Sequence, residues 1–248
     1  MNQKVKKIKN MKKLLKKDID SLKIIVVLFL LSINLYAQQS CTFKDAIKNS
    51  IQGYAYKKNN ENLDMKAVLN EKKTDFLGFI GTNYKRFRVT FTSIKKIDNK
   101  HYSVEGFSTV MNKNKRNFKG TFTLVSHYEL TEPSLDTLDK GDKEGFSTFL
   151  YVLKENEEES ATGIFEGNMA VQWFKEKGKQ PGYSSLFDYG DPSGNYLFLG
   201  TWTSYKTGKK QRCHWGQNRI PCSGDLDIGA SDFSPDPKYR KYGWEDFH

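Results

Sequence analysis

Cysteine, histidine and proline are scarce in this sequence, and no stretch has the spacing of a familiar catalytic or metal-binding motif. Its 248 residues include three cysteines, four histidines and six prolines. No C-x-x-C occurs, which argues against a thioredoxin-like dithiol. H-E-x-x-H, G-x-S-x-G and a phosphate-cradling glycine loop are absent too, so zinc proteolysis, a nucleophile elbow and nucleotide binding have no footing. The histidines, His101, His127, His214 and His248, are scattered. His127 falls on the polar side of an alternating stretch and reads as a surface residue.

Long apolar runs are also few, and the one that stands out is short. Ile24 to Ala37 is uncharged and follows a lysine-rich stretch that begins at Lys4. A basic region, an apolar region and a small residue at its end make a secretory signal, with cleavage expected after Ala37. Fourteen residues fall short of the roughly 20 that a helix needs to cross a bilayer. An uncleaved anchor and a lipid-modified Cys41 are the alternatives. Leu35 lies six positions before Cys41, too far upstream for a usual lipidation site. Met1 and Met11 both remain open as the start.

Residues 1–37 are therefore expected to be a signal peptide and residues 38–248 a single mature domain. Its location would be periplasmic or extracellular, with no membrane span after cleavage. The formal charge of +11 belongs mostly to the signal: nine lysines against two aspartates precede Gln38. The rest is near balance, at roughly +4. A domain so nearly neutral, on an export route, is not expected to bind nucleic acid.

Export directs the cysteines towards disulfides before metals. Cys213 and Cys222 bracket the turn-rich HWGQNRIP, and a bridge across that loop would stabilise by about 2 to 4 kcal/mol. Cys41 is then left over, as a buried thiol or as a partner for another chain, and a bond from Cys41 to one of the other two is a further alternative.

Periodicity supplies the fold. Thr42 to Gln52 places Phe43, Ala46, Ile47 and Ile51 on one helical stripe, with Asp45 positioned for a capping box and Gly53 as the stop. From Phe87 the period becomes two. Phe87, Val89 and Phe91 alternate with polar residues, followed by Tyr102, Val104 and Val110, then Phe118, Phe122, Leu124 and Tyr128. Short polar links between these runs describe an antiparallel meander, because a parallel crossover needs a dozen or more residues. Phe146 to Leu153, Thr162 to Trp173 and Tyr196 to Tyr205 continue the pattern, separated by loops at 131–145 and 178–195. The acidic run Glu155 to Glu159 reads as a solvated turn.

Six or more strands with little helix make the chain mostly β, a single antiparallel β-barrel or β-sandwich. Residues 206–248 show no convincing strand but carry many aromatics, which predicts an ordered, irregular, disulfide-containing extension packed on the sheet.

Three groups of residues could carry chemistry. Trp202, Tyr205 and Trp215 are candidates to line a cavity mouth or stack on a sugar, while Trp202 is more simply read as a core aromatic. Asp225, Asp227 and Asp232 lie on a glycine-containing loop that could hold calcium, but no Glu closes it, and Asp also caps turns. No other cofactor is indicated. Glu166 and Asp188 could form the carboxylate pair of a glycosidase. The leading expectation is a non-enzymatic exported binder of a small apolar ligand, a glycan or an envelope protein. A secreted hydrolase and a structural component of the envelope are the alternatives.

Overall fold

The computed structural model describes residues 41–73, 76–132, 139–184, 196–230 and 232–247. Residues 1–37 and Asp188 lie outside them. Ten strands are found among the described residues: β1 (Tyr56–Asn59), β2 (Phe76–Ile80), β3 (Lys85–Lys96), β4 (His101–Val110), β5 (Lys113–Leu130), β6 (Lys143–Glu155), β7 (Gly163–Lys175), β8 (Gly182–Tyr183), β9 (Tyr196–Ser204) and β10 (Lys210–Gly216). Eight pair in the order β5-β4-β3-β2-β10-β9-β7-β6 and return to β5, every pairing antiparallel. These eight form a closed barrel, which leaves none of them a free edge, while β1 and β8 pair on one side only, with β5 and β7.

Eight strands enclose a space just wide enough for side chains to fill. Here aromatics fill it. Phe198 stacks on Trp215 with ring centroids 4.9 Å apart, and both meet Tyr151 edge-on at 5.6 and 5.1 Å. Small residues make room for such bulk. A β-carbon on Gly200 would fall on the Tyr151 hydroxyl, and one on Gly163 would lie 2.8 Å from the Trp202 ring.

The two ends differ. At one, α2 (Lys66–Glu71) inserts Val68 and Leu69 into the core, with Leu63 and Met65 beside them. Tyr196 donates its hydroxyl to the Val68 carbonyl, and the Tyr102 hydroxyl accepts from the Met65 amide at 3.3 Å. The opposite end carries the four hairpin turns that join β2 to β3, β4 to β5, β6 to β7 and β9 to β10.

Two layers cover parts of the outer wall. Helix α1 (Phe43–Ser50) begins with the expected capping box: Thr42 Oγ1 accepts from the Asp45 amide, and the Asp45 carboxylate accepts from the Thr42 amide. Its Ala46 and Ile47, with Ile51 just beyond, pack on Leu130, Phe146, Ala170, Leu197 and Leu199. Residues beyond β10 lay Ile220, Leu226 and Trp244 over Leu77, Phe79 and Tyr84. Trp244 Nε1 donates to the Tyr84 carbonyl at 2.7 Å.

Several expectations change. The disulfide joins Cys41 to Cys222, whereas Cys213 is a free buried thiol. The reason is the pleat: Cys213 points into the barrel with Trp215, while Cys222 packs against the outer cluster around α1. A Cys213–Cys222 bridge would have to pass through the wall. The disulfide also removes Cys41 from lipid modification.

Lys210–Gly216, expected to be irregular, is the strand that closes the barrel. Tyr128 does not share the face of Phe118, because a bulge between Leu124 and Ser126 reverses the alternation. Tyr128 therefore joins the outer cluster, and His127 turns inward and is buried.

Candidate functional site

The inward stripe of β6 runs Phe149, Tyr151, Leu153 and ends on Glu155. The same period that buries three apolar side chains thus buries a carboxylate at the turn end, with Glu155 only 6% exposed. Reading Glu155 as part of a solvated acidic turn is incorrect for this residue. The signal that could have found it is its phase, two residues beyond Leu153.

Buried carboxylates need donors. Glu155 has three: Trp202 Nε1 at 2.9 Å, the Gly163 amide at 2.9 Å and Ser108 Oγ at 3.4 Å. Burial pushes its carboxyl above the usual range, while these donors and the charge of Arg116 pull it back. Arg116 is not its direct partner. The guanidinium donates to the Ser160 carbonyl at 3.0 and 3.2 Å and lies 3.5 Å from Glu159.

A cavity of about 190 Å³ opens beside this carboxylate. Ile80, Val110, Phe165 and Trp202 give it apolar walls, and Lys85, Asn114, Arg116 and Gln211 stand with Glu155 as polar groups around them. It forms at the turn end, and each of the eight barrel strands contributes a residue to its lining. A wider groove of about 450 Å³ reaches Glu155 from another side, past Thr92, Phe118 and Lys154, and the exposed Lys119 and Glu105 pair there at 3.0 Å.

Of the three aromatics expected at a mouth, two surround Glu155. Trp202 lines the cavity and holds the carboxylate, and the Tyr205 hydroxyl donates to the Glu155 carbonyl at 3.2 Å. Trp215 instead lies wholly in the interior, its Nε1 without a hydrogen-bond partner. Tyr151 Oη is likewise unpartnered. The Cys213 thiol is raised well above its ordinary value, by burial and then by the charge of Glu155, so it is not a poised nucleophile.

The aspartates form part of the outer layer. Asp225 accepts from Tyr239 Oη at 2.9 Å and pairs with Lys238 at 2.9 Å, and the Lys238 contact lowers its carboxyl most. Asp227 pairs with Arg219 at 2.8 Å and caps the amides of Gly229 and Ser234. Asp232 has no described part in that arrangement. Among the described residues no three acidic, histidine or cysteine side chains converge as a metal would require.

Asp188, the expected carboxylate partner of Glu166, lies outside the described residues. Glu166 lies on the outer wall and pairs with Lys210 at 3.0 Å. His127 Nδ1 is 2.7 Å from Ser147 Oγ, which has the look of a nucleophile and its base. Ser147 is fully buried, however, and its hydroxyl also contacts Met65 Sδ at 3.4 Å, so no substrate carbonyl can reach it in this arrangement. Burial lowers the His127 pKa, as expected for a neutral core imidazole.

No family model matches the chain, and neither a curated protein nor a solved structure is found to resemble it.

Proposed function

We propose that this is an exported, non-enzymatic binding protein that holds a small molecule with an apolar body in the turn-end cavity. The observation that carries this reading is the cavity itself: apolar walls around a few convergent polar groups, in a barrel that is otherwise filled. Its size suits a small molecule or the end of a larger one, such as one sugar ring or an alkyl chain. Export rests on the lysine-rich and apolar character of residues 1–37, and the Cys41–Cys222 disulfide is consistent with an oxidising compartment. Among the described residues no helix is long and apolar enough to cross a membrane.

Native mass spectrometry on protein recovered from its own compartment tests the reading. A retained adduct is expected on the wild type and not on Val110→Trp, which fills the cavity from β4. Bare protein in both samples, or an adduct that survives Val110→Trp, would overturn it.

A further inference from the structure

We propose that the turn-end cavity takes a small primary amine, its ammonium pairing with Glu155 and its hydrocarbon chain lying on Phe165 and Trp202. This rests on the cavity being the binding site and adds the class of ligand.

The argument begins with the carboxylate's partners. All three donors to Glu155, Trp202 Nε1, the Gly163 amide and Ser108 Oγ, are neutral. None of the ion pairs among the described residues includes Glu155, and Arg116, whose charge acts on it, is held by the Ser160 carbonyl and Glu159. An ionised carboxylate offers about four acceptor positions. Two donors converge on Oε2, whereas Oε1 has only the long contact to Ser108 at 3.4 Å. The oxygen with capacity to spare therefore belongs to a negative group that lines a cavity and lacks a cation. An ammonium supplies both the charge and the donors.

The walls agree with that choice. Trp202 presents an indole beside the site, and an aromatic face favours a cation as well as an alkyl chain. Ile80, Val110 and Phe165 offer only apolar surface. Anionic ligands would meet Lys85 and Arg116 at the rim but would then set their charge against Glu155. Lys85 is exposed and stays in water, so it does not compete for the buried carboxylate.

Titration calorimetry with three probes of matched length, hexylamine, hexanol and hexanoate, tests the proposal at neutral pH. Hexylamine is expected to bind at least tenfold more tightly than either of the others, and Glu155→Gln to weaken it at least tenfold. The ranking of the probes on the wild-type protein needs no variant, so a misfolded Glu155→Gln would not blunt the test. Equal or tighter binding of hexanol or hexanoate, or an unchanged affinity in Glu155→Gln, would overturn the amine while leaving the cavity as a binding site. Silence from all three probes at millimolar concentration would overturn it as well, and the retained adduct and its loss in Val110→Trp would then decide the cavity reading separately.

Discussion

The two ends of this barrel are built on opposite principles. At the α2 end, a helix inserts apolar side chains, and the hydroxyls of Tyr102 and Tyr196 are satisfied by its backbone. Among the described residues no such plug enters the turn end, and a buried carboxylate stands where another phenylalanine would fit the pattern of β6. On the outer wall, α1 and the C-terminal layer pack against apolar strand faces, the second also reaching Tyr84 in the β2–β3 turn. Where a protein is covered, its side chains serve stability. Where a polar group is buried beside a cavity, as Glu155 is, we propose a use in binding.

That contrast can be attacked first at the covered interior. Phe198, stacked on Trp215 and fully buried, should lose about 3 to 5 kcal/mol of unfolding free energy on replacement by Ala. Urea unfolding checks it, and a loss below about 1 kcal/mol would mean that the interior is not closely packed.

Next is the tether of the outer layers. Replacing both Cys41 and Cys222 by Ser should cost about 2 to 4 kcal/mol, because the bond closes a loop of nearly the whole described chain. Native protein alkylated without reductant should gain no reagent mass, in the wild type as in Cys213→Ala, since the one free thiol among the described residues is buried.

His214 extends the same contrast to acid. Burial and then the nearby Arg212 lower its pKa to about 4, and its Nδ1 lies 3.2 Å from the Pro221 carbonyl under the C-terminal layer. The unfolded chain takes up this proton near pH 6.5 and the folded one resists it, so stability falls as the pH drops from about 6.5 to 4. The full effect is about 3 kcal/mol. Comparing urea midpoints at pH 7 and 4.5, His214→Gln should lose less on acidification than the wild type does.

Glu155 should behave oppositely. Its carboxyl is raised, so its contribution is most favourable in acid and is lost as the pH rises through its folded value. Glu155→Gln keeps the shape and an acceptor, and should leave stability at pH 7 within about 1 kcal/mol of wild type, or slightly above it. A large destabilisation would make Glu155 a structural group. Smallest of all, calcium against chelator should leave the melting temperature unmoved, because Asp225 and Asp227 already hold Lys238 and Arg219. A rise at millimolar calcium would show a cation at that loop.

The sequence made the barrel legible wherever one strand face meets water. Phe87, Val89 and Phe91 alternate because Arg88, Thr90 and Thr92 need no burial. β2 was hidden for the converse reason: FLGFI has Phe76 and Ile80 inside and Leu77 and Phe79 under the C-terminal layer, so no period of two survives. β10 was hidden likewise, with His214 buried on the outside between Cys213 and Trp215. Trp202 and Tyr205 were singled out as aromatics, but Glu155, whose carboxylate takes the Trp202 N–H and whose main-chain carbonyl takes the Tyr205 hydroxyl, was not. Burial of a charge is a property of the closed ring, and only the phase of Glu155 with Leu153 hints at it.

Indole resonances test the central claim most directly, since the described tryptophans sample every environment at issue. Trp173 and Trp215 are in the interior, Trp244 lies under the C-terminal layer, and Trp202 lines the turn-end cavity. In a proton–nitrogen correlation spectrum titrated with hexylamine, the Trp202 indole N–H and the Gly163 amide, both bonded to Glu155, should move together. The Trp173 and Trp244 signals should stay in place. Shifts centred on Trp244, or a Trp202 signal indifferent to the amine, would contradict the account.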